Sequence, residues 1–183
     1  MEVGYAKLKE LKGNMIATRT RSELKDVLMD PKSPGVKEPY FVIRGDEGQN
    51  ITILSPGKNG NEFNKTYGHF HNYQGVEIYR VVYGQGVLVM QRNDEMGEAK
   101  EVRVTALRSG ITVEVPAGYG HALVNIGKTY LVVIDDAPNT PDAHNFDLVR
   151  EKQGLAYYVV DKKGEVGFEL NPRYHLHPQI ATY

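Results

Sequence analysis

Thr66-Tyr67-Gly68-His69-Phe70-His71-Asn72-Tyr73-Gln74-Gly75-Val76-Glu77-Ile78-Tyr79 is the stretch from which the rest of this sequence is best read. On a strand alternate side chains share a face, so His69 and His71 point one way and Phe70 the other. A short Gly-containing turn then allows Glu77 and Tyr79 to be set on the same interior face of the next strand. A third imidazole arrives in Gly110-Ile111-Thr112-Val113-Glu114-Val115-Pro116-Ala117-Gly118-Tyr119-Gly120-His121-Ala122-Leu123-Val124-Asn125. Three imidazoles and one carboxylate suit a borderline divalent metal such as Fe, Mn, Ni, Co or Zn. With one or two coordination positions open such a centre binds substrate, and with none open it is structural.

The runs around this stretch are short and β-rich. They are Tyr40–Ile43, Ile51–Leu54, Val76–Tyr83, Val87–Met90, Val102–Val104, Thr112–Val115, Ala122–Val124 and Tyr130–Ile134. Pro56-Gly57, Gly84-Gln85-Gly86, Ser109-Gly110, Pro116-Ala117-Gly118 and Ile126-Gly127-Lys128 punctuate them, and the glycines are expected to serve turns, since only glycine takes positive φ freely. Eight or more strands at this spacing predict an antiparallel sandwich or barrel, an all-β fold with minor helices. One helix is expected from about Ser22 to Met29, opened by the capping box Thr20-Arg21-Ser22-Glu23 and stopped at Asp30-Pro31. A second is expected from Asn145 to Gln153. Ala156–Val160 and Glu165–Phe168 flank Asp161-Lys162-Lys163-Gly164 as a closing hairpin. The expected division is an N-terminal extension over 1–38, a barrel over 39–174 and a tail over 175–183.

The bulk composition narrows the function classes. The chain has 183 residues, enough for one sizeable core. Its formal net charge of −1 argues against nucleic acid or an anionic membrane as partner. Cysteine is absent, which removes disulfides, thiolate ligands and thiol catalysis. Met1–Lys9 shows no apolar run of signal-peptide length and no segment is long enough to span a bilayer, so a cytoplasmic location is expected.

The motif spacings carry a family resemblance. Gly110, Pro116, Gly118, His121 and Asn125 are spaced as in the second cupin motif, and His69-x-His71, Glu77 and Gly84 as in the first, with a slightly longer gap before Glu77. The sequence therefore resembles the cupins, double-stranded β-helix or jelly-roll barrels. Thr52-Ile53-Leu54-Ser55-Pro56-Gly57-Lys58, Lys65-Thr66-Tyr67-Gly68-His69-Phe70-His71, Val124-Asn125-Ile126-Gly127 and Asn171-Pro172-Arg173 narrow this to the cupin-type phosphoglucose isomerases.

That resemblance implies a homodimeric enzyme interconverting glucose 6-phosphate and fructose 6-phosphate, with one divalent transition metal per subunit (Fe, Mn, Ni or Zn). The implied ligands are His69, His71, Glu77 and His121. Thr52, Thr66 and Gly68 would hold the phosphate, Tyr79 would line the pocket, and His144 would stand near the sugar and assist ring opening. Glu77 is the carboxylate placed to carry a proton between C1 and C2 through a cis-enediol(ate), a metal-assisted hydride shift being the competing route. His175 and His177 are read as exposed tail residues outside the site.

Two positions depart from the family pattern. Asp135-Asp136 and Phe146 stand where the family carries tyrosines, and a carboxylate facing a phosphate opposes binding. Either a cation such as Lys65, Arg80 or Arg92 compensates, or the sugar is a different one. The rival readings are an isomerase of another sugar, an iron cupin dioxygenase on the same four ligands, and a non-enzymatic sugar-binding module.

Overall fold

The computed structural model describes residues 15–45, 49–138, 140 and 142–183. Met1–Lys9, read above for a targeting signal, lies outside the described residues. The strands, in chain order, are β1 (Met15–Arg19), β2 (Tyr40–Arg44), β3 (Asn50–Leu54), β4 (Lys58–Asn59), β5 (Glu62–Phe63) and β6 (Phe70–His71). They continue with β7 (Glu77–Tyr83), β8 (Gln85–Asn93), β9 (Ala99–Arg108), β10 (Thr112–Val115) and β11 (Gly120–Asn125). β12 (Leu131–Asp135), β13 (His144–Asn145), β14 (Tyr157–Lys162), β15 (Glu165–Leu170) and β16 (Ile180–Thr182) complete the set.

One sheet has the order β1-β2-β3-β12-β7-β10 and a second the order β11-β8-β9-β16, with the two small sheets β13-β6 and β15-β14-β5-β4 beside them. This is the all-β sandwich or barrel that the strand pattern predicted, in the form of the jelly roll that the cupin resemblance implied. Alternation decides what each strand places inside. On β12, Leu131, Val133 and Asp135 are buried between half-exposed neighbours, and on β7 Glu77, Tyr79 and Val81 are. Leu54, Tyr79, Val81, Leu131 and Val133 of the first sheet share one apolar core with Leu88, Met90, Val104 and Leu123 of the second.

Each expected strand from Tyr40 onward is present, most of them extended by a residue or more. Of the strands in stretches without a strand signal, β1 pairs antiparallel with β2, and β16 pairs parallel with β9. The capping box forms as predicted, with Glu23 Oε2 accepting from Thr20 N at 2.7 Å. The helix it opens is shorter than expected, covering Arg21–Leu24 before a 3₁₀ turn over Lys25–Val27. The second helix is likewise trimmed to Asp147–Glu151, because His144–Asn145 is taken up as β13. Gly84, Gly110 and Gly118 do adopt positive φ, whereas Gly86 does not. Its absent side chain serves packing instead, since a Cβ there would lie 2.5 Å from Val124 O and from a Leu131 methyl.

Candidate active site

The segment before β6 runs antiparallel to β11, and the backbones of His69 and His121 exchange hydrogen bonds of 3.2 and 2.9 Å. Two residues on, His71 lies opposite His144 of β13. β7 supplies Glu77 from the facing sheet. Consequently one donor atom from each of His69, His71, Glu77 and His121 falls within 4.8 Å of the others. The His69 ring centroid is 4.5 Å from that of His121 and 5.4 Å from that of His71. Glu77 Oε2 stands 2.7 Å from His71 Nε2 and 3.4 Å from His121 Nε2.

These groups could hold a metal ion, and their unmet bonding supports the fit. His69 Nε2 is buried without a hydrogen-bond partner, and Glu77 Oε2 is buried with only the imidazole nitrogens of His71 and His121 against it. Each such atom costs about 1–3 kcal/mol in a dry interior, and a cation among them converts that cost into coordination.

The electrostatics point the same way. Burial, reinforced by the neighbouring imidazoles, holds His69 well below the ordinary histidine value. Burial likewise lowers His121 to about 4 despite the pull of Glu77, and lowers His144. These three imidazoles are therefore neutral at pH 7, the form in which they ligate or accept a proton. Burial alone would raise Glu77, but His121, His71 and the Tyr79 hydroxyl outweigh it, and the carboxyl lies below its usual range. Tyr79 hydrogen-bonds His121 Nε2 at 2.9 Å. Its phenol is driven far up by burial and then by the charges of Glu77 and Asp135, so it stays protonated.

A cleft of about 710 Å³, part of it open to solvent, runs from this cluster. The glucose-6-phosphate isomerase family model matches residues 39–176, three quarters of the chain and all of these side chains. The chain belongs to the glucose-6-phosphate isomerase family.

A family relative from Pyrococcus furiosus, a glucose-6-phosphate isomerase, is 31% identical over 173 residues, covering 92% of this chain and 86% of its own. That of Sinorhizobium medicae is 30% identical over 126 residues, covering 68% and 56%. A solved recombinant oxalate oxidase in complex with glycolate covers 67% of this chain at 18% identity and TM-score 0.40, too loose a likeness to bear on function.

The residues that the phosphoglucose isomerase resemblance implied are brought together. Thr52, Thr66, Gly68, Tyr79 and His144 all line the cleft beside His69, Glu77 and His121, while the His71 side chain is fully buried behind them. Gly68 has φ +81°, and a Cβ there would lie 3.1 Å from His121 O, so glycine lets this segment press against β11. Thr66 Oγ1 accepts from Leu123 N at 3.0 Å, which leaves its hydroxyl proton to donate elsewhere.

The acidic pair divides. Asp135 faces the cleft, accepting from Asn50 Nδ2 at 2.7 Å and Ala137 N at 3.2 Å. Asp136 faces away and accepts from Ile78 N. Burial, with Glu77 nearby, raises Asp135 to about 7. Phe146 lines the cleft with its ring 5.5 Å from that of His69.

The three cations suggested by the sequence lie elsewhere. Lys65 is buried against Glu62 at 2.6 Å, Arg80 is on the exposed face of β7, and Arg92 pairs with Glu101 at 3.0 Å. Among the described residues, the Lys or Arg side chains in the cleft wall are Arg19 and Arg44, which stand in no motif. Of the tail histidines, His175 is exposed beside Glu98, and His177 is half-buried against Asn171 O.

Proposed function

We propose that this family member is a metal-dependent glucose-6-phosphate isomerase, interconverting glucose 6-phosphate and fructose 6-phosphate through a cis-enediol(ate). It would act in the cytoplasm as a homodimer with one divalent transition metal, Fe, Mn, Ni or Zn, per subunit, the four candidate ligands lying in the barrel over residues 39–174. The observation that carries this reading is the convergence of three imidazoles and a carboxylate at one end of a cleft, within a chain of this family.

His69, His71, Glu77 and His121 are the metal ligands in this reading. Held by these four side chains, a divalent cation would supply positive charge to stabilise a developing negative oxygen of the substrate. Glu77, whose carboxyl lies below its usual range, moves the proton between C1 and C2. His144, neutral and half-buried beside His69, exchanges a proton with the ring oxygen as the sugar opens. The protonated Tyr79 donates toward the sugar and holds His121 in position. The hydroxyls of Thr52 and Thr66 and the backbone at Gly68 hold the phosphate.

The test is to load the protein with Mn, Fe, Ni or Zn and follow fructose 6-phosphate conversion with a coupled dehydrogenase. Turnover that needs a metal and vanishes in His71→Ala and Glu77→Ala is the expected result. One bound metal per chain with no turnover under any metal would refute the substrate assignment and leave the metal centre standing.

A further inference from the structure

Beyond the metal cluster, part of the cleft wall comes from β1 and β2, which precede the metal motifs in sequence. β1 and β2 pair with Arg19 opposite Tyr40, Ala17 opposite Val42 and Met15 opposite Arg44. Ala17, Arg19, Tyr40, Val42 and Arg44 all face the cleft. The register continues across the sheet: Val42 lies opposite Thr52 and Thr52 opposite Val133, while Arg44 lies opposite Asn50 and Asn50 opposite Asp135. The row containing Thr52 thus lies between the levels of Arg19 and Arg44. Those levels are four residues apart along β2, about 13 Å at ~3.3 Å per residue, and both side chains are long enough to lean toward the row between.

Charge makes this arrangement consequential. Among the described residues lining the cleft, the carboxylates are Glu77 and Asp135, and the Lys or Arg side chains are Arg19 and Arg44. An anion entering a cleft with two carboxylates at one end meets repulsion unless cations oppose it. Arg44 lines the cleft in the same row of the sheet as Asn50 and Asp135. The Arg19 guanidinium lies 5.5 Å from the centre of the Phe146 ring and 5.8 Å from that of Tyr67, the residue after Thr66. Its ion pair with Glu23 is long, at 3.5 Å, and well exposed, so it neutralises little of the charge.

We propose that Arg19 and Arg44 together form the anion grip of this cleft, closing on the substrate phosphate from either side of the Thr52–Thr66 level. Guanidinium groups suit the role because their fixed N–H fork matches a phosphate. The grip deepens the isomerase reading and rests on it for the identity of the substrate. It sets the preference for a phosphorylated over a free sugar, and it accounts for an aspartate, Asp135, in a phosphate-binding cleft.

Arg19→Met and Arg44→Met keep the aliphatic stem and remove the charge. Two readouts separate the grip from the isomerase reading: binding of inorganic phosphate to metal-free protein by calorimetry at low salt, and KM against kcat for fructose 6-phosphate. Each variant is expected to weaken phosphate binding and raise KM about ten- to hundred-fold, with kcat within about threefold and the melting curve preserved. Turnover with unchanged KM and phosphate affinity in the variants would overturn the grip and leave the isomerase intact. Phosphate binding that depends on both arginines in a protein without isomerase activity would support the grip and overturn the isomerase. An effect confined to one arginine would overturn the paired arrangement.

Discussion

The substitution Asp135→Asn changes how the metal-free protein responds to pH, and the size of the change follows from the site. Asp135 is only 6% exposed, and burial raises its carboxyl from 3.8 to about 7. The folded state therefore holds this proton more tightly than the unfolded chain does. The resulting contribution to stability is fully present below the unfolded value of 3.8 and is lost as the pH rises through about 7. The full span of about three units is about 4 kcal/mol at ~1.36 kcal/mol per unit, of which pH 5 to pH 8.5 takes in about two units, or about 2.7 kcal/mol. The replacement amide cannot titrate, yet its carbonyl oxygen can still accept from Asn50 Nδ2 and Ala137 N. Urea unfolding of both proteins at pH 5 and pH 8.5, with chelator present, measures the effect. The amide variant should gain about 2–3 kcal/mol on wild type between the two conditions. Stability curves that stay parallel within ~0.5 kcal/mol would refute the buried, proton-retaining carboxyl.

Three further outcomes are expected. Gly68→Ala forces a Cβ to within 3.1 Å of His121 O at a positive φ, so it should cost about 1–3 kcal/mol in chemical denaturation and loosen metal binding; a neutral result would show that the segment shifts without strain. Asn125→Ala unpairs Leu54 O, Thr129 O and Gly127 N in a fully buried position and should cost about 2–4 kcal/mol, while metal stoichiometry by elemental analysis remains one per chain. Lys65→Met strands the buried Glu62 carboxylate and should cost about 3–5 kcal/mol in urea without altering phosphate affinity, which separates it from the cleft arginines.

The His69-x-His71 spacing, the β-rich runs and the capping box are legible in the sequence because each is a local matter. A strand alternates its side chains, a cap needs a hydroxyl and a carboxylate three residues apart, and a donor set of three imidazoles and a carboxylate has few other uses. Asn125 shows the limit of a motif: the spacing singles it out, and the structure makes it a knot for three backbone groups of the loops at the barrel end. Gly86 reads as a turn residue in the sequence, yet in the fold it occupies a space too small for a side chain.

What the sequence determined by itself was the all-β class, the four side chains that gather where a metal could be held, and the neighbours that share their strands. Tertiary structure alone brought the arginines to the cleft and joined Asn50 to Asp135. Arg19 is brought to it by pairing across the twenty residues between β1 and β2, and Asn50 and Asp135 meet through a register spanning 85 positions. Such pairings are fixed by how whole strands bury their faces against one another, a non-local balance that no short window of residues contains.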